Sequence, residues 1–280
     1  MSRVGHLGRK AVHMRARKAF TLVELLVVIG IIALLVAILL PALAKAKEQA
    51  IKLACAANLR SIGQGLLMYT NDTKYYPGHA THTSSGVTAA VWPTRIRKLA
   101  KITRATFWCP AQEPGFQWQL VMGNGAQFAT DRDAGWGYEV GEMLLDVTRV
   151  AFSYGYNDWG SHNVEVPQRG LGADLWPNSG IKEVKASKVK SPSEMIAIAD
   201  NTCDKMWDYN IDPLDLSWQG ETEFPGKIHN GGANFLFCDG HVTWYHQRDI
   251  DQVWYDSRHV KYSNPNWSTV AHMWNSDNKP

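Results

Sequence analysis

Phe20-Thr21-Leu22-Val23-Glu24-Leu25-Leu26 opens a run of 21 residues, Phe20 to Leu40, in which Glu24 is the only charge. As a helix this run is about 31 Å long, enough to cross the hydrocarbon core of a bilayer. A carboxylate in such a segment is costly, roughly 2.5–3.5 kcal/mol at mid-bilayer and less near an interface. A chain that keeps one there is expected to give it a partner and a task. Upstream, residues 1–19 hold six basic residues (Arg3, Arg9, Lys10, Arg15, Arg17, Lys18) and no acid. A basic block flanking an apolar run predicts a cytoplasmic N-terminus, with everything after Leu40 outside the cytoplasm. The rival reading is a cleavable secretory signal, with Ala42-x-Ala44 as its cleavage site. The apolar region of such a signal spans only about 7–15 residues.

The formal net charge of +3 comes from that basic block; beyond residue 19, 23 basic residues face 26 acidic ones. This balance gives no reason to expect a nucleic-acid partner. The 280 residues leave room for a membrane segment and one domain of roughly 200 residues. Past Pro41, the segment Ala42–Tyr69 continues as a helix with a readable face. Ile51, Cys55, Leu59, Ile62, Leu66 and Tyr69 recur at steps of three and four, the spacing of one apolar stripe. Lys45, Lys47, Glu48, Lys52 and Arg60 mostly fall elsewhere. A proline inside a helix removes a backbone bond, so Pro41 is a kink rather than a stop. Asn71-Asp72 and Pro77-Gly78 end the helix.

The string Phe20-Thr21-Leu22-Val23-Glu24-Leu25, with Glu24 fifth and Pro41 twenty-second from Phe20, resembles the processing and assembly signal of type IV pilins and type II secretion pseudopilins. The resemblance implies a prepilin peptidase that cuts between Ala19 and Phe20 and methylates the new amine. Ala19 stands where the family usually has glycine. It also implies assembly with other pilin-like subunits at the inner membrane, the outer domain lying in the periplasm or outside the cell. Glu24 would meet the amine of Phe20 on a neighbouring subunit, each neutralising a charge that lipid disfavours.

Farther along, residues 79–90 are small and polar and read as a loop, and residues 110–140 read as irregular with short strands. Met195–Ala199 is a short apolar run. Ala233–Phe237 and His241–Tyr245 are β-rich runs separated by Asp239-Gly240, a strong hairpin signal. The expected fold is α+β: a long N-terminal helix, transmembrane then amphipathic, packed on a mainly antiparallel sheet, as in pilins. The expected divisions are a leader (1–19), a membrane helix (20–40), its amphipathic continuation (41–72) and a β-rich domain (73–280). His229, nine residues, then Asp239-Gly240 resembles an element near the C-terminus of a large group of bacterial prepilin-like proteins. Cys55-Ala56-Ala57-Asn58-Leu59-Arg60, Cys109-Pro110, Ser153–Asn157 and Pro192-Ser193-Glu194 are further marks of that group, in order. The last 35 residues have no such mark.

His229, Asp239 and His241 invite a metal or hydrolase reading, but a catalytic zinc needs three converging protein ligands and no His-Glu-x-x-His framework is present. We read Asp239-Gly240 as a turn and His229 as a loop-fixing residue, with no catalytic residues and no cofactor. A calcium site is the more credible one, because the major pseudopilins resembled here bind that ion. Asp200, Asp204, Asp208, Asp212 and Asp215, with Asn201 and Asn210, offer oxygen donors, although a solvated loop accounts for them without an ion. Four cysteines allow three pairings. Cys55–Cys109 is preferred because Cys55 lies on the stripe and a loop at Cys109 could reach it; Cys203 and Cys238 could form the other. Buried thiols are the alternative. The 12 tryptophans are scattered and read mainly as core. A carbohydrate-binding face made of exposed rings on an anchored protein is the second functional reading, beside that of a prepilin-like subunit.

Overall fold

The computed structural model describes residues 21–112, 118, 127–147, 152–159, 169–175, 181–203, 209–213, 225–251, 253–255 and 261–277. The chain divides into two compact units, Met1–Lys47 and Glu48–Pro280. One helix, α1 (Leu22–Thr73), runs from the first into the second with Pro41 inside it. In the first unit the helix exposes apolar side chains all round, from Leu22 to Leu40 and at Leu43. It is long and apolar enough to cross a membrane. In the second unit the helix becomes one-sided. Cys55, Leu59, Ile62, Leu66 and Tyr69 are buried and Ile51 is partly buried. The helix ends at Thr73, where Lys74 takes the left-handed conformation at φ 67° and donates its N–H to the Thr70 carbonyl at 2.9 Å.

The remaining elements are β1 (Ala80–His82), β2 (Thr88–Ala90), α2 (Trp92–Ala100), β3 (Tyr154–Asn157), β4 (Ile196–Asp200), β5 (Asn210–Ile211), β6 (Gly232–Phe237), β7 (Val242–His246), α3 (Gln247–Ile250), β8 (Val253–Tyr255), β9 (Lys261–Ser263) and α4 (Trp267–Val270). Five strands make the main sheet in the order β5-β3-β4-β6-β7. All its pairs are antiparallel except β3 with β5. The β6–β7 hairpin follows the Asp-Gly signal, with Leu236 opposite Val242 and Gly240 at φ 93°. The fold is thus α+β and of a pilin-like layout.

The sheet is covered on both sides. On β6, Ala233, Phe235 and Phe237 face one apolar cluster while Leu236 joins the helix-side cluster. A register shift between Ile196 and Ile198 breaks the alternation on β4. Ala197 and Ile198 therefore both join the helix-side cluster, and Ile196 and Ala199 join the other. Gly63 lets α1 approach the sheet closely, since a Cβ there would lie 2.6 Å from Leu236 Cδ1. The second face is covered in part by Trp267, Met273 and Trp274, from the stretch for which the sequence offered no assignment. Trp274 is fully buried, donates its indole N–H to the Ile250 carbonyl at 2.9 Å, and accepts at its own carbonyl from Asn157 Nδ2 at 3.2 Å.

Two expectations fail here. Residues 79–90 are not a loop, because β1 and β2 form an antiparallel hairpin. Thr83 N–H bonds the Val87 carbonyl, Gly86 supplies φ 81°, and Ala80, Thr81, Ala89 and Ala90 are buried. Small residues were read as loop formers, but here they let strands pack tightly. The described part of the acidic stretch after residue 199 is not solvated either. Asp200, Asn201, Asn210 and Asp212 are all buried. Asp204, Asp208 and Asp215 lie outside the described residues.

Candidate functional site

Two places carry the residues singled out in the sequence. The first is the start of α1. Ala19 and Phe20 lie outside the described residues. Glu24 closes a reciprocal bond with Thr21: the Thr21 N–H donates to Glu24 Oε2 at 2.9 Å, the Thr21 hydroxyl donates to the same oxygen at 2.8 Å, and Glu24 N–H donates to Thr21 Oγ1 at 3.2 Å. This is a capping box, which satisfies backbone donors that a helix start leaves unpaired. The Thr-x-x-Glu spacing of residues 21–24 announces it, and reading Glu24 only as a misplaced charge overlooked that signal. Glu24 therefore has an intramolecular partner in the single chain. Pro41 sits inside α1 without ending it.

The second place is in the unit that begins at Glu48. Cys55 on α1 is bonded to Cys109 across 54 residues, with Cα atoms 5.2 Å apart. A 3-10 turn at Arg104–Phe107 and the bond from Asn58 Nδ2 to the Trp108 carbonyl at 3.0 Å hold the Cys109 segment against α1. Next to this disulfide stands His229, held by backbone bonds to Gly232 in both directions. His229 Nε2 lies 3.4 Å from Cys109 Sγ and 3.3 Å from Asp200 Oδ2. A disulfide sulfur can only accept, so Nε2 carries the proton and donates to Cys109 Sγ, with the Asp200 carboxylate beside it. Asp200, at the end of β4, is held by Asn234 of β6, whose N–H and Nδ2 each donate to Oδ2 at 2.8 Å. His229 Nδ1 and Asp200 Oδ1 are buried without a hydrogen-bond partner. Cys55, Cys109, His229, Asp200 and Asn234 are all fully buried or nearly so. Asn234 was missed in the sequence because nothing in a strand pattern marks a polar residue that faces inward.

The His229–Gly240 element is not one site. His229 precedes β6 and is buried, whereas Asp239 and Gly240 follow β6, and Asp239 is exposed. Six residues of strand between them span on the order of 20 Å. Asp239 instead accepts from His241 N at 3.0 Å, pairs with His241 Nδ1 at 2.6 Å, and donates its N–H to the Pro192 carbonyl at 3.1 Å. A hydrolytic dyad of His229 and Asp239 is excluded by this separation. Asp200 is fully buried, held by Asn234 and close to His229.

A Cys203–Cys238 bridge does not form. β4 and β6 are antiparallel, with Ile196 opposite Phe237. Cys203 follows the C-terminal end of β4 and Cys238 that of β6, so they lie at opposite ends of the sheet. Cys203 Sγ is 3.8 Å from the Ser153 hydroxyl. Burial pushes the Cys238 thiol up to about 12, against the lowering effect of its bond with Tyr76. Among the described tryptophans whose side chains are placed, none is exposed; Trp92, Trp118, Trp159 and Trp274 are buried.

In comparison with known families, residues 14–40 match the prokaryotic N-terminal methylation motif. No curated protein matches the chain, and no solved structure does. The chain thus carries a type IV pilin-like prepilin signal on the helix that exposes apolar residues on every side.

Proposed function

We propose that this chain is a prepilin-like structural subunit, cut between Ala19 and Phe20, methylated on the Phe20 amine, and assembled through α1 into a pseudopilus or related envelope structure. The observation that carries this reading is the coincidence of the methylation motif at residues 14–40 with an apolar helix segment that is exposed throughout. An all-round apolar surface suits lipid first and neighbouring helices afterwards. The basic leader stays in the cytoplasm, and the unit that begins at Glu48 lies on the far side of the membrane. There it contacts other subunits or a secreted substrate rather than catalysing a reaction. An oxidising compartment is in keeping with the Cys55–Cys109 disulfide. In assembly, Glu24 leaves part of its capping role and turns to the amine of Phe20 on a neighbour. Mass spectrometry of the N-terminus of the membrane-bound protein tests the reading. An N-methylated Phe20 is expected; an intact Met1, or a start after Ala44, would overturn it.

A further inference from the structure

The disulfide does not account for everything gathered around it. Cys55 and Cys109 Sγ, His229 Nε2 and a carboxylate oxygen of Asp200 all lie within 4.8 Å of one another. They come from four separate segments: α1, the turn after Phe107, the loop before β6, and the end of β4. Two sulfurs, an imidazole and a carboxylate are the donor types that bind zinc in tetrahedral sites. With zinc–ligand bonds of about 2.0–2.3 Å, tetrahedral ligand atoms sit roughly 3.3–3.8 Å apart. The pairs His229–Asp200 at 3.3 Å and His229–Cys109 at 3.4 Å already meet this spacing. The remaining pairs lie within 4.8 Å, and the two sulfurs, covalently joined in the structure, must separate.

Around a zinc ligand one expects further groups that orient it. Asn234 does this for Asp200 with two bonds of 2.8 Å to Oδ2. The other carboxylate oxygen, Oδ1, is buried and has no partner.

We propose that, when Cys55 and Cys109 are thiols, these two residues with His229 and Asp200 bind one zinc ion. The disulfide joins two of these segments, α1 and the turn after Phe107, whereas the zinc ion joins all four. On binding, the two thiol protons leave to solvent, the imidazole proton moves from Nε2 to Nδ1, and Nε2 and the two thiolates coordinate the metal. An exogenous disulfide such as oxidised glutathione reverses this: it takes two electrons from the thiolates and two protons from water, leaves as two thiols, and releases zinc as Cys55–Cys109 closes.

The test uses the full chain in detergent, reduced anaerobically with a phosphine, which is converted to its oxide with water as both sulfurs become thiols. Zinc is added, excess is removed by gel filtration, and retained metal is measured by mass spectrometry. One zinc per reduced chain and none per oxidised chain are expected. Addition of oxidised glutathione should release the metal. Cobalt in place of zinc should give the visible bands of a tetrahedral, thiolate-ligated ion in the unsubstituted protein, a readout that needs no variant. Asp200→Asn and His229→Ala are expected to weaken retention at least about tenfold. Each variant is checked in its oxidised state for an intact disulfide and unchanged circular dichroism. The proposal fails if the reduced protein keeps no zinc, if the oxidised protein keeps as much, or if the cobalt complex lacks thiolate ligation. It also fails if both folded variants bind as well as the unsubstituted chain.

Discussion

At the scale of single residues, Glu24 has two partners to choose between. In the chain alone it completes the capping box with Thr21; in an assembly it would neutralise an amine. Glutamine can still close a capping box but carries no charge, which separates the roles. Glu24→Gln is expected to keep the helix start while cutting incorporation into multimers by on the order of tenfold or more. Glu24→Ala should lose both. Crosslinking in membranes measures the first and circular dichroism of the detergent-solubilised protein the second. Equal multimer yields for Glu24→Gln and the unsubstituted chain would remove the charge-pairing argument. Asp133 offers a pH test on the second unit. Burial pushes its carboxyl up, but bonds from Ser84 N–H and hydroxyl and from Thr130 outweigh this and hold it below the usual range. A depressed folded value means that its stabilisation is present above the unfolded value of about 3.9 and is lost as pH falls through the folded value. Asp133→Asn should therefore lower the thermal midpoint near pH 6, and the difference should shrink toward pH 2. A difference that stays constant with pH would show that Asp133 contributes only through its shape.

At the scale of elements, close approaches decide where strands can pair. β3 lies between an antiparallel neighbour and the parallel edge strand β5. A Cβ at Gly155 would stand 2.4 Å from Ile211 Cγ2 and 2.5 Å from the Asn210 carbonyl oxygen. The second contact is backbone, so relief requires β5 to move away from β3. Gly155→Ala is expected to destabilise the second unit by about 1–3 kcal/mol. The hydrogen exchange of Tyr156 N–H, which bonds the Tyr209 carbonyl at 2.9 Å, should accelerate with it. Unchanged stability and exchange would mean that β5 is not held where the structure places it. Elsewhere Glu142 joins elements by charge: buried, it accepts from Arg97 of α2 at 2.7 and 3.0 Å and from Arg104 at 2.8 Å.

At the scale of the whole molecule, the unit from Glu48 onward is a sheet with a cover on each face. α1 covers one and the segment ending at Trp274 the other. The Cys55–Cys109 link ties the first cover to the loop after Phe107. Closing a 54-residue separation restricts the unfolded chain by about 4 kcal/mol in the loop-entropy view. Cys55→Ser with Cys109→Ser should lower the thermal midpoint of the oxidised protein by on the order of 10 °C. A shift of a degree or less would mean that packing along the stripe holds α1 without the crosslink.

The sequence by itself determined the parts that depend on local pattern. The apolar run, its lone carboxylate, the stripe from Ile51 to Tyr69 and the Asp-Gly hairpin each rest on neighbours along the chain, and periodicity and turn chemistry report those. The small residues of β1 and β2 misled, since the same residues favour turns and tight strand packing, and only their burial distinguishes the two. Tertiary structure alone decided the rest. It separated His229 from Asp239 by the length of β6 and set Cys203 and Cys238 at opposite ends of the sheet. It also brought Asp200 to His229 beside the disulfide. Those outcomes depend on which strands pair and in which direction, and no local spacing records that.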